Sequence, residues 1–187
     1  MIKSLSICLL TLLALPLCYS CVKEDEKNLL AQQAKSIDDF VQRDTGDAFR
    51  LNRDTVISIT NKRESIRIVW NPGTGDTIVA GDTVSFAYIA RLFSSGKGAI
   101  FATNLSALAG TGTWPISIYP DDYGKNRVGA GYYLPGLDAG LTGMRVGEYA
   151  YIMFTSQYGY GNRELSVIPK MSPLMFEVEI EDIIKKK

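Results

Sequence analysis

The chain has 187 residues, 20 basic and 20 acidic side chains, 46% hydrophobic residues and no histidine, which suits one domain with a proper core plus an N-terminal extension. Zero net charge gives no electrostatic reason to bind nucleic acid. Without histidine no Ser-His-Asp or Cys-His catalytic unit can form, and the usual zinc and copper sites lose their commonest ligand, so neither a metal nor a cofactor is expected.

At the N-terminus, Lys3 precedes an apolar run from Leu5 to Leu17 and then small or polar residues before Cys21. This is a secretory signal, too short to span a bilayer. The sequence Leu17-Cys18-Tyr19-Ser20-Cys21 resembles a bacterial lipobox, although Cys18 and Tyr19 depart from the usual residues. Residues 1–20 are therefore expected to be a lipoprotein signal peptide and Cys21 the lipidated residue, with the polar run Val22 to Lys27 arguing against a core thiol. Several acyl chains would anchor the protein in a bacterial membrane, so the expected location is the cell envelope, at the outer membrane, facing the periplasm or the cell surface. Cys8 and Cys18 would leave with the signal, so the mature domain is expected to have neither a disulfide nor a thiol nucleophile.

Residues 21–54 are expected to form the acylated N-terminus, a spacer helix and a linker. Glu24 to Arg43 is amphipathic, with Leu30, Gln33, Ile37 and Val41 on a narrow stripe flanked by Leu29 and Phe40. Its charge density favours a solvated spacer over a partner or dimerisation helix. The domain proper is expected over 55–187.

There, β-like runs cover Thr55 to Thr60 and Ser65 to Trp70, with a turn cluster at Asn71-Pro72-Gly73-Thr74-Gly75-Asp76. Val84, Phe86, Tyr88, Ala90 and Leu92 then alternate with Ser85, Ala87, Ile89 and Arg91 in a long strand that Gly96-Lys97-Gly98 closes. A short strand is expected at Trp114 to Tyr119, before a loop from Pro120 to Gly131. Asn104-Leu105-Ser106 has the form of a glycosylation triplet, which a bacterial-type signal makes a chance match.

The segment Leu134 to Gly161 is the most informative. Gly136, Gly140, Gly143 and Gly147 punctuate a stretch long enough for one short helix and a tight turn, where glycine provides φ > 0 corners. From Glu148 to Thr155, Ala150, Ile152 and Phe154 alternate with Tyr149, Tyr151 and Met153, and the aromatic loop Tyr158-Gly159-Tyr160-Gly161 follows. A buried phenol needs a hydrogen-bond partner, so Tyr160 in a glycine-flanked loop fits a ligand carbonyl or solvent better than packing. The last strand, Leu174 to Ile184, alternates Leu174, Phe176, Val178 and Ile180 against Glu177, Glu179 and Glu181. The fold class is α+β with an antiparallel sheet.

These residues resemble the FKBP-type peptidyl-prolyl cis-trans isomerases over roughly Ile66 to Ile183. The resemblance is carried in order by Pro72-Gly73-Thr74-Gly75, Ala80-Gly81-Asp82-Thr83-Val84, Tyr88, Gly96-Lys97 and Phe101. It continues through Leu134-Pro135-Gly136-Leu137, Gly140-Leu141, Met144-Arg145-Val146-Gly147-Glu148, Tyr158-Gly159-Tyr160-Gly161, Ile168-Pro169 and Phe176-Glu177-Val178-Glu179. It implies a twisted antiparallel sheet wrapped around one short α-helix, here with an N-terminal helical extension. It also implies an apolar aromatic cavity for a proline side chain, with Tyr160, Tyr88 and Phe101 as catalytic residues and Trp114, Tyr133, Leu134, Leu137, Ile168 and Phe176 binding the substrate. For Leu137 and Phe176 taken alone, ordinary packing is the better account of an apolar residue at that period.

The implied activity fits the absent nucleophiles. An X-Pro bond rotates over a barrier of about 18–20 kcal/mol that needs no proton relay, and an apolar pocket that desolvates the amide favours the less polar twisted state. Three features depart from the family pattern. Ala102 stands where an acidic residue usually follows the cavity phenylalanine, which removes the carboxylate expected beside Tyr88. Leu137 replaces the usual tryptophan floor, and Tyr119 to Tyr132 is an insertion carrying Tyr119, Tyr123 and Tyr132. The expected partners are proline-containing segments of exported proteins, with reduced catalysis. The alternatives are a non-catalytic peptide-binding or chaperone module, and glycan capture on Trp114 and the tyrosines of the insertion.

Overall fold

In the computed structural model, residues 23–44, 58–62, 64–105, 108, 117–118, 125–127 and 134–186 are described. Among them one sheet is built from β1 (Ser58–Asn61), β2 (Ile66–Pro72), β3 (Thr83–Phe93), β4 (Lys97–Thr103), β5 (Ser117–Ile118), β6 (Lys125–Arg127), β7 (Glu148–Phe154) and β8 (Leu174–Ile184). The strand order is β1-β2-β7-β8-β3-β4-β5, with β6 alongside β3. Every pairing is antiparallel except the short parallel contact of β4 with β5, where Ala102 faces Ser117 and Thr103 faces Ile118. The central ladder pairs β3 with β8 from Thr83↔Ile184 to Leu92↔Leu174, so the two long alternating strands of the sequence are neighbours.

The strand β4 lies where the sequence offered only a closing turn. The hairpin corner is at Ser95 (φ 59°) and Gly96 (φ 158°), and Lys97 and Gly98 already belong to β4. KGAIFAT has no period-2 pattern because a bulge interrupts it: Ala90 pairs with Ala102 but Arg91 pairs with Ile100, leaving Phe101 extra. Phe101, Ala102 and Thr103 are consequently all buried. Asn104 extends the ladder with its side chain, accepting the Tyr88 backbone N–H at 2.8 Å and donating to the Phe86 carbonyl at 2.9 Å, so the apparent glycosylation triplet contains a structural asparagine.

Helix α1 covers residues 23–44. The predicted stripe is present, but its role differs from a solvated spacer. Ile37, Phe40 and Val41 are buried against Ile68, Phe93, Met153 and Met175 on the outer face of the sheet, and Phe40 meets Phe93 edge-on at 5.6 Å. The charges of α1 occupy its solvent side, as in the exposed pair Lys35–Asp39. This cover explains why Met175 in β8 is fully buried, although alternation alone would point it at solvent.

Helix α2 (Pro135–Leu141) fills the inner, concave side. Proline at its first turn is favourable because the missing N–H has no helical partner there. Gly136 and Gly140 are not the φ > 0 corners expected of them. They are helical positions where the backbone lies directly on β7, and a Cβ on Gly136 would come within 2.2 Å of the Phe154 ring and one on Gly140 within 2.3 Å of Ile152. The positive φ values belong to Gly143 (88°) and Gly147 (78°) in the turn that follows. The last turn of α2 has no basic residue of its own; cations from β2 and the preceding turn satisfy its carbonyls. Arg67 Nη1 donates to the Gly140 carbonyl at 2.6 Å, and Lys62 Nζ donates to those of Ala139 and Thr142, each at 2.7 Å. Burial pulls the Arg67 guanidinium down, and Glu148, 3.4 Å away, offsets part of that.

Candidate functional site

The concave face of the sheet and α2 enclose an aromatic cluster. On β3, alternation turns Phe86, Tyr88 and Ala90 inward, and on β8 it does the same for Leu174, Phe176 and Val178. Phe176 is the hub. Its ring stacks on Phe154 at 5.8 Å and 17°, meets Phe101 edge-on at 6.1 Å, and lies 6.2 Å from Tyr88. Offset and edge-on contacts of this kind add to the burial of the rings themselves. The bulge in β4 is what lets Phe101 reach Phe176 while Ala102 stays on the same face. Leu137 from α2 and Ile168 from the segment after β7 close the cluster, each almost fully buried.

Its rim is built differently. Leu134, Tyr158, Tyr160 and Val167 pack on the cluster yet stay partly exposed. A 3-10 turn, Ser156–Tyr158, starts the aromatic loop, and Gly161 (φ 59°) reverses the chain after Tyr160. The Arg163 guanidinium lies 5.8 Å from the Tyr160 ring centre, and its backbone N–H donates to the Tyr160 carbonyl at 3.2 Å. Beside Phe101 an open cleft of about 260 Å³ runs between β4 and this segment, bounded by Leu92, Ile100, Val167 and Pro169, with Glu164 among its lining residues.

Of the residues singled out in the sequence, Tyr88, Phe101, Leu134, Leu137, Tyr160, Ile168 and Phe176 thus meet at one apolar centre. Trp114, Tyr133 and Cys21 lie outside the described residues, as do the apolar leader and most of the Tyr119 to Tyr132 insertion. Phe154 was recognised only as a strand residue. The signal for its larger part is the pair of glycines that brings α2 against β7, because Gly136 leaves room for the ring that supports Phe176.

A network of ionised groups lies on the other face. Glu177, nearly buried in β8, accepts from Arg91 Nε at 2.5 Å, Lys97 Nζ at 3.0 Å and Tyr149 Oη at 3.2 Å. Burial alone would raise its carboxyl, but Lys97 and Arg91 outweigh burial and hold it below the usual carboxylate range. Burial, with Tyr151 and Glu177 beside it, pushes the Tyr149 phenol up, so it remains a donor. Among the described residues no group of three or more His, Cys, Asp or Glu side chains could hold a metal ion, and no helix is long and apolar enough to cross a membrane.

Residues 75–181 match the family of FKBP-type peptidyl-prolyl cis-trans isomerases. The chain belongs to this family. FK506-binding protein 1A of Aspergillus fumigatus is 32% identical over 119 residues, covering 63% of this chain and 92% of that protein. FK506-binding protein 4 of Chaetomium thermophilum is 32% identical over 111 residues, and there the match covers only 20% of the relative's length. In fold, the chain is similar to a peptidyl-prolyl cis-trans isomerase from Pseudomonas syringae pv. tomato, with a TM-score of 0.52 at 19% identity over 87% of this chain and 92% of that one. It is also similar to the N-terminal domain of FKBP42 from Arabidopsis thaliana, with a TM-score of 0.53 at 20% identity over 68% and 93%.

Within this FKBP-type domain two of the three departures from the family pattern sit at defined places. Ala102 is a buried cross-strand partner of Ala90, which makes it the diagonal neighbour of Tyr88 on the same face, within reach of a longer side chain. Leu137 lies on the buried side of α2, and it supplies apolar area without an indole N–H to satisfy.

Proposed function

We propose that the chain is a lipid-anchored peptidyl-prolyl isomerase of the cell envelope that binds X-Pro segments of exported proteins and turns them over slowly. The observation that carries this reading is the convergence of Tyr88, Phe101, Leu137, Ile168 and Phe176 on one buried apolar centre, with Tyr160 partly exposed at its edge. An apolar floor takes the proline ring, and desolvation of the amide favours the twisted state over the planar one. The Tyr160 hydroxyl holds the substrate carbonyl at the rim. The expectation of slow turnover rests on Ala102, which stands where the family pattern has an acidic residue. The lipid anchor rests on the apolar run Leu5 to Leu17 and on Cys21.

The test is a protease-coupled proline-peptide assay on the full chain beside Tyr160→Phe and Phe176→Ala. A rate above background is expected for the parent, with a decrease of about tenfold for Tyr160→Phe, as loss of one hydrogen bond worth about 1.4 kcal/mol in the transition state would give. No rate above background for the parent rejects catalysis. Ala102 favours a second reading, a chaperone module that binds proline segments without isomerising them; peptide binding with no rate, and a large gain in rate for Ala102→Asp, would support it. Acyl labelling of the parent but not of Cys21→Ser checks the anchor.

A further inference from the structure

Gln33 is a polar residue in the middle of the buried stripe of α1, only 6% exposed. Its amide is used at both ends. Oε1 accepts from the Ser156 backbone N–H at 2.9 Å and from Ser156 Oγ at 3.0 Å, while Nε2 donates to the Met171 carbonyl at 2.7 Å. The orientation of the amide is fixed, because a backbone N–H can only donate and a carbonyl can only accept. Two further backbone bonds complete a closed circuit: Gly161 N–H donates to the Ser156 carbonyl and Met171 N–H to the Gly161 carbonyl, each at 2.8 Å. Ser156, Gly161, Met171 and Gln33 are thus linked in a ring, and Gln33 is its one member from outside the segment.

Everything the segment contributes to the site lies between the ring's members. Tyr158 and Tyr160 fall between Ser156 and Gly161, and Val167 and Ile168 between Gly161 and Met171. Met171 itself has a positive φ of 55°, a conformation that costs free energy for a residue with a side chain and persists where surrounding bonds enforce it. The geometry points to Gln33 as a positioning residue: from the appended helix, on the opposite face of the sheet, it fixes the loop that holds Tyr160 and Ile168 at the apolar centre. The inference rests on the isomerase reading of that centre. Helix α1 is then a working part of the site.

The experiment compares the full chain with Gln33→Leu, which keeps the bulk and removes both hydrogen-bonding ends, and with Ile180→Ala, a core change in β8. Amide hydrogen exchange and isomerase kinetics are measured on all three. For Gln33→Leu, exchange should accelerate at Ser156, Gly161 and Met171 while central β3 and β8 amides keep the parental rate. Its kcat/KM should fall by about 10- to 100-fold, the scale that small misplacement of site groups produces, and by more than in Ile180→Ala at equal loss of Tm. Parental exchange at those three amides overturns the proposal, as does an activity loss that tracks Tm identically in both variants. A parent with no isomerase rate rejects the proposed activity instead, and the exchange comparison still decides whether Gln33 holds the loop.

Discussion

The two faces of the central sheet are made by the same strands and closed by opposite means. Inward, β3, β7 and β8 present aromatic and aliphatic side chains to a short helix, and the cover stops at a partly exposed rim. Outward, the same strands meet α1 over one half and neutralise their own charges over the other, where Glu177 gathers Arg91, Lys97 and Tyr149. The difference teaches where a ligand can be received. A face left open at its rim keeps apolar area available for an incoming side chain.

The contrast can be broken most strongly at its aromatic contacts. Phe154→Ala removes the ring that stacks on Phe176 and supports α2, and should cost about 3–5 kcal/mol in denaturant unfolding together with peptide binding. Phe40→Ala on the outer face should cost about 3 kcal/mol, the low end of the same range, and should leave the aromatic cluster intact by near-ultraviolet circular dichroism. Equal loss of the aromatic signal in the two variants would show that the faces do not behave separately.

A smaller effect is expected from Glu177→Gln, about 1–3 kcal/mol at neutral pH. The folded carboxyl is held below its ordinary value of 4.5, so its contribution is complete above that pH and is lost as pH falls through the lower folded value. The variant should therefore be less stable than the parent at neutral pH and approach it in acid, as paired pH-dependent melts would reveal. The smallest effect belongs to Lys35→Ala. It breaks an exposed i,i+4 pair and should shift stability by less than about 0.5 kcal/mol.

How far these faces could be read beforehand differs from element to element. β8 and the core side of β3 follow from strict alternation, and α2 from a glycine-punctuated segment long enough for one short helix. β4 escaped because its bulge destroys the period that identifies a strand. The stripe on α1 was legible but its destination was not: a narrow apolar stripe states that something will cover it, not which surface. Gln33 looked like a polar interruption of that stripe, and only the positions of Ser156 and Met171, more than a hundred residues away, give it meaning. The apolar centre itself was legible because its members recur in family order, while Phe154 was hidden by being an ordinary strand residue as well.

The ring through Gln33 also bears on the order of events during synthesis. Its members are separated by as many as 138 positions, and contacts of such range form late because the closure of long loops precedes any reward. Helix α1 leaves the ribosome early and has no receiving face until β7 and β8 have paired. The Tyr160 loop can take its final shape only after that, so a newly made chain acquires its sheet before it acquires a finished site.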